Sequence, residues 1–234
     1  MNPGYMCYCM DTDYYNGGLI LKMELQLAID LLNKEEAAQL AKQVTDYVDI
    51  VEIGTPIVIN EGLPAVQHLK DNVKDDDVKV LADLKIMDAA DYEVSQAVKF
   101  GADVVTILGA AEDASIKAAV EEAHKHGKQL LVDLIAVQDI EKRAKELDDM
   151  GADYIAVHTG YDLQAQGQSP LESLRKVKAV IQNSKVAVAG GIKPDTIKEV
   201  VAENPDLVIV GGGIANADDP REAAKLCREA IEGK

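Results

Sequence analysis

The segment Val80-Leu-Ala-Asp-Leu-Lys-Ile-Met-Asp88 sets charged groups into an otherwise apolar, β-rich run. Asp83 and Lys85 stand two residues apart, so an extended chain turns both to one face. Burying a carboxylate and an ammonium costs several kcal/mol per ion unless they pair or hold a ligand, and such groups concentrate at functional sites. Glu52 ends a second apolar run in Val51-Glu-Ile-Gly-Thr-Pro56, and Asp30 ends a third in Ala28-Ile-Asp30. On neighbouring strands, Glu52 and Asp83 can share one hard divalent cation. Mg²⁺ suits that pair, because it takes one or two carboxylates and completes its shell with water and substrate oxygens. There is no His or Cys cluster of the kind Zn²⁺ prefers. His158 follows a buried run, whereas His68, His124 and His126 fall on helix surfaces, so His158 is the candidate proton carrier near neutral pH. Asp133 ends another run, with no role assigned to it.

Two glycine turns complete the set. Val188-Ala-Gly-Gly-Ile192 and Ile209-Val-Gly-Gly-Gly-Ile214 offer backbone N–H groups to an anion at Gly191, Gly211, Gly212 and Gly213. Neutral donors of this kind matter in a chain with a formal charge of −17. That charge argues against nucleic acid and anionic membranes as partners, and it requires any anionic substrate to be met locally.

The elements that must position these residues follow a repeating pattern: a short β-branched run, a loop, then an amphipathic helix. The runs lie at 25–29, 49–53, 79–84, 103–108, 129–134, 153–157, 185–189 and 206–210, and the helices at 34–46, 61–72, 89–100, 114–126, 140–150, 170–182, 194–202 and 220–232. Phe100-Gly-Ala-Asp103 and Met150-Gly-Ala-Asp153 repeat one helix-to-strand punctuation. Eight βα units predict a single α/β domain over residues 23–234, a closed (β/α)₈ TIM barrel. An open dinucleotide-binding sheet would carry a glycine fingerprint after its first strand, which Ala28-Ile-Asp-Leu-Leu32 lacks. In such barrels chemistry sits at the C-terminal strand ends, with phosphate commonly held after strands seven and eight. Every candidate named above falls on that rim.

Residues 1–22 read differently. They hold four of the eight tyrosines and two of the three cysteines without helical or alternating pattern, so they are expected to be a disordered extension. They have neither a basic start nor a continuous apolar stretch, which reads against a secretory signal or a membrane span. The odd cysteine count, without metal-ligand spacing, suits a reducing cytoplasm.

Ala28-Ile-Asp30, Val51 to Pro56, Asp83-x-Lys85-x-x-Asp88, His158 and the two glycine turns together resemble the orotidine 5′-monophosphate decarboxylase superfamily from Met23 onward. Asp83 to Tyr92 and His158-Thr-Gly-Tyr-Asp162 resemble its 3-hexulose-6-phosphate synthase branch most. The resemblance implies a Mg²⁺-assisted aldol reaction joining ribulose 5-phosphate, a phosphorylated pentulose, to formaldehyde. It also implies that Glu52 and Asp83 hold the metal, that Lys85 and Asp30 bind substrate hydroxyls, and that His158 handles the proton at C1. Asp88 would reach into the neighbouring subunit's site of a homodimer. The nearest alternative is 3-keto-L-gulonate-6-phosphate decarboxylase (KGPDC), whose branch carries an arginine after strand six; no Arg lies between Arg143 and Arg175 here. A non-catalytic phosphosugar-binding barrel is a further alternative, though it is expected to lack one or more of the charged residues that are all present.

Overall fold

The computed structural model describes residues 22–73, 77–164 and 166–234, together with the backbone of two short paired strands, Tyr14–Tyr15 and Gly18–Leu19. The expectation of disorder for residues 1–22 otherwise falls outside the described residues. From Glu24 onward eight strands close a parallel barrel. We number them β1 (Glu24–Ile29), β2 (Ile50–Ile53), β3 (Lys79–Ile86), β4 (Val104–Leu108), β5 (Gln129–Asp133), β6 (Tyr154–His158), β7 (Lys185–Ala189) and β8 (Leu207–Val210). β8 pairs with β1, from Leu207 opposite Glu24 to Val210 opposite Leu27, so no sheet edge remains.

Alternation along each strand divides the core in two. Residues such as Leu27, Val51, Val105 and Val188 face outward and pack under the helices. Ala28, Ile50, Leu81, Val104, Leu131, Tyr154, Ala156, Ala187, Ala189, Leu207 and Ile209 fill the barrel interior as a separate cluster. Tyr154, fully buried, is the one aromatic in that inner cluster. Its hydroxyl donates to Glu24 at 2.8 Å, and Lys79 and Lys185 pair with the same carboxylate at 3.1 and 2.9 Å. This network closes the N-terminal end of the barrel and leaves the opposite end to carry a cavity.

The Gly-Ala-Asp punctuation has a structural reason. Gly101 and Gly151 take φ of 92° and 87°, left-handed values that end the helices before them at little cost to glycine. The aspartates then pin the preceding strand: Asp103 accepts from the Val80 N–H at 2.9 Å, and Asp153 accepts from Leu130 at 2.8 Å. Asp49 and Asp206 do the same for Leu25 and Val186, at 2.8 and 2.7 Å. An aspartate before each even-numbered strand therefore ties down the odd-numbered strand beside it.

Helices follow the strands as the sequence predicts, with three additions. Thr55–Glu61 is helical ahead of Pro64–Asn72, where a loop was expected. Tyr161–Gln164 and Gly212–Ala215 each form one turn directly after β6 and β8. All three begin within a few residues of a strand's C-terminal end and form the wall of the active rim. Among the described residues no helix is long and apolar enough to cross a membrane.

Candidate active site

A cavity of about 1140 Å³ opens at the C-terminal end of the barrel. Asp30, Glu52, Asp83, Lys85, Asp133 and His158 line it, and so do Gly191, Gly211, Gly212 and Gly213. The sequence-predicted residues thus converge on one chamber, Asp88 excepted. Asp88 is exposed between Met87 and Ala89 and lies outside the cavity of its own chain.

β3 does not hold Asp83 and Lys85 by simple pleating. Ala82 pairs with Val105 and Ile86 pairs with Ile107, so Asp83, Leu84 and Lys85 bulge opposite the single residue Thr106. Lys85 adopts φ 47°, a left-handed conformation that costs a non-glycine residue roughly 1–3 kcal/mol. The turn brings Lys85 Nζ back to Asp83 Oδ2 at 2.7 Å and within 3.4 Å of Asp133 Oδ2. Burial pushes the Lys85 ammonium toward neutrality, but Asp83 and Asp133 more than offset it and hold its pKa above that of an ordinary lysine. Held in this way, the Lys85 ammonium donates to both carboxylates at the edge of the cavity.

Asp133, which the sequence left without a role, supplies the link to His158. Its Oδ2 lies 2.8 Å from His158 Nδ1, and its Oδ1 accepts from the Ile135 N–H at 2.8 Å. Burial raises the Asp133 carboxyl, yet the hydrogen bond and charge of His158, with Lys85 and the Ile135 amide, bring it below its usual range. An ionised carboxylate only accepts, so His158 Nδ1 carries a hydrogen and Nε2 is the nitrogen left to take a proton.

Glu52 is in the opposite position. Only 6% exposed, it is raised well above an ordinary glutamate by burial first, then by the negative charges of Asp83 and Asp30, against which Lys85 and a hydrogen bond from Gln26 do not prevail. Asp30 stands at the cavity mouth, where partial desolvation and Asp83 raise its carboxyl as well. It passes over Gly54, where a Cβ would overlap Asp30 Oδ1. That contact explains why glycine precedes Thr55-Pro56.

This surplus of negative charge fits a cation. An ionised carboxylate has about four lone-pair positions. Asp83 uses three, accepting from Thr106 at Oδ1 and from Thr55 and Lys85 at Oδ2, each at 2.7 Å. Glu52 uses one, with Gln26. Among the described residues no group of three or more His, Cys, Asp or Glu side chains could hold a metal ion by itself. The pair therefore suits an ion that shares its coordination with substrate and water.

The two glycine turns also line the cavity. Gly190 and Gly191 have φ of 115° and 70°, and a Cβ on Gly190 would overlap Thr159 O. A Cβ on Gly213 would lie 2.5 Å from Ile192 O, which locks the two turns together. Gly212 and Gly213 open a helical turn, where the first backbone N–H groups lack intrahelical acceptors. Lys193 and Gln164 line the cavity as well; both were missed in the sequence, since neither interrupts an apolar run.

The model of the orotidine 5′-phosphate decarboxylase / HUMPS family matches residues 23–227. The chain belongs to that family. Among family relatives, the 3-hexulose-6-phosphate synthase 1 of Staphylococcus saprophyticus is 87% identical over 212 residues, which are 91% of this chain and all of that protein. The solved 3-hexulose-6-phosphate synthase of Salmonella typhimurium is 40% identical with a TM-score of 0.87, over 90% of this chain and 99% of that one. KGPDC of Streptococcus mutans, solved in complex with a phosphosugar, is 26% identical with a TM-score of 0.82, over 90% and 98% of the two chains. Relatives that are 84–87% identical over about nine tenths of this chain are named 3-hexulose-6-phosphate synthase, an enzyme of the aldehyde-lyase type, and this chain is an enzyme of that type.

Proposed function

We propose that the enzyme joins D-ribulose 5-phosphate to formaldehyde, giving D-arabino-hex-3-ulose 6-phosphate through an enediolate. The observation that carries this reading is the linked set Asp83, Lys85, Asp133 and His158 beside the electrically unbalanced Glu52. Such a set provides a base, a fixed cation and two metal-competent carboxylates around one cavity. The names of the relatives point the same way.

The glycine turns bind the phosphate and anchor the substrate, while Asp30 and Lys85 orient its hydroxyls. Formaldehyde offers almost no binding energy of its own, so positioning must come from the sugar phosphate. His158 Nε2 removes the proton from C1, and the electron pair of that C–H bond moves to form the C1–C2 double bond and charge the C2 oxygen. Glu52 and Asp83 would hold Mg²⁺, which when bound would supply Lewis-acid stabilisation of that negative charge. The C1–C2 π pair then forms the new bond to the formaldehyde carbon as the C2 carbonyl is restored, and the formaldehyde C=O π pair moves to its oxygen, which takes the proton back from His158. Asp133 holds the imidazole in the one tautomer that permits both transfers.

An arginine after strand six, as the decarboxylase branch carries, has no counterpart here: Tyr161 opens that helical turn, and among the described residues no arginine lines the cavity. Exposed Leu31, Ile59, Met87 and Tyr92, on or just beyond the loops after β1, β2 and β3, support a homodimer that brings the exposed Asp88 to a partner's cavity. The test is formaldehyde consumption in the presence of ribulose 5-phosphate, with Mg²⁺ and after chelation, beside CO₂ release from 3-keto-L-gulonate 6-phosphate. Mg²⁺-dependent formaldehyde consumption well in excess of CO₂ release supports the reading; CO₂ release as the faster reaction contradicts it.

A further inference from the structure

We infer that Thr106 is a positioning residue for the reaction, the single side chain that sets the bulge of β3 and with it the geometry of Asp83 and Lys85. This inference rests on the reading above for its catalytic meaning and on the hydrogen bonds of the apoprotein for its structural one. Three residues of β3 lie opposite Thr106 alone, so the regular ladder fails there. The Lys85 N–H consequently donates to the Thr106 hydroxyl, at 2.9 Å, in place of a backbone carbonyl. That same hydroxyl donates its proton to Asp83 Oδ1 at 2.7 Å. One oxygen therefore satisfies the amide of a left-handed lysine and fixes the rotation of the neighbouring carboxylate.

Thr106 is 3% exposed, and no water can readily replace what its hydroxyl does. A hydroxyl is needed because the position must both accept and donate; a methyl of the same shape can do neither. With Oδ1 committed to Thr106, Asp83 Oδ2 is the oxygen that meets Thr55 and Lys85. Removing the hydroxyl frees Asp83 to rotate and Lys85 to relax toward ordinary extended backbone, which draws its ammonium away from Asp133. The substrate phosphate contacts proposed at the glycine turns are untouched.

The test compares Thr106→Val with Thr106→Ser by two readouts. The first is hydrogen exchange at the Lys85 amide of the metal-free protein, and the second is the split between kcat and KM for ribulose 5-phosphate. Thr106→Val is expected to speed exchange at Lys85 about tenfold or more and to lower kcat by roughly 10- to 100-fold with KM changed little. Thr106→Ser restores both. Slow exchange at Lys85 in Thr106→Val, or kcat within twofold of wild type, overturns the inference. If Thr106→Val does not fold, the serine variant decides: loss of Lys85 protection or of kcat there overturns it, and retention of both supports the hydroxyl's role. A wild-type protein without aldol activity refutes the proposed reaction, while amide exchange still judges the role of Thr106 in the bulge.

Discussion

Replacing Glu52 by glutamine should make the metal-free protein more stable and the metal-loaded one less so. Glu52 is buried and raised by burial and by Asp83 and Asp30. A carboxyl raised in the fold above its unfolded value is neutral in both states at low pH. It then loses stability as pH climbs from the unfolded value, near 4.5, toward the higher folded one. The amide escapes that loss, and its oxygen can still accept from Gln26 Nε2. The gain should be on the order of 1–3 kcal/mol at pH 8. At about 2–4 °C per kcal/mol for a domain of this size, the melting temperature rises roughly 2–12 °C. Mg²⁺ reverses the order: at a thousand times Kd, a ligand that binds only the folded state adds about 4.1 kcal/mol, or ~8–16 °C, to the wild type alone. Thermal melts between pH 5 and 9, with Mg²⁺ and with chelator, give all four numbers. A metal-free Glu52→Gln protein that melts lower than wild type at pH 8, or that gains as much from Mg²⁺, refutes the reasoning.

Three further outcomes follow from the same geometry. Asp133→Asn removes the acceptor that fixes the His158 tautomer at 2.8 Å, and should lower kcat at least tenfold while phosphosugar affinity, measured calorimetrically, stays within about threefold. Gly213→Ala forces a Cβ to 2.5 Å from Ile192 O and should part the two glycine turns, raising KM for ribulose 5-phosphate tenfold or more with a smaller change in kcat; steady-state kinetics check it. Lys193→Ala removes a cation from the end of the cavity that the glycine turns line; if the substrate phosphate sits there as proposed, KM should rise several-fold at low salt, and the difference should shrink at high ionic strength.

The barrel and its rim were legible in the sequence because both rest on simple periodicities. Eight β-branched runs at βα spacing allow little besides a closed parallel sheet, and a carboxylate at the end of a buried run is conspicuous. The bulge of β3 was hidden, since Asp83-Leu-Lys85 alternates as any strand would and lysine gives no hint of φ 47°. Thr106 was hidden for the same reason: in Val104-Val-Thr-Ile-Leu108 it reads as one more β-branched residue, and only its two hydrogen bonds reveal a role. The helices after β2, β6 and β8 escaped notice because each is one or two turns long, too short for a helical period to emerge. Asp133 was visible but silent, because its partner His158 lies 25 residues away. By contrast the Gly-Ala-Asp repeat was seen as punctuation, and the structure adds what the aspartate does there.

In the proposed reaction Glu52 and Asp83 bring a divalent cation to a sugar phosphate whose C1 proton His158 removes. Hydrogen exchange at C1 of ribulose 5-phosphate in D₂O, followed by NMR and without formaldehyde, isolates that proton transfer. Exchange that needs Mg²⁺, stops with chelator, returns when the metal is restored and is lost in His158→Ala is the predicted result. Exchange at an undiminished rate with chelator, or in His158→Ala, would contradict the account.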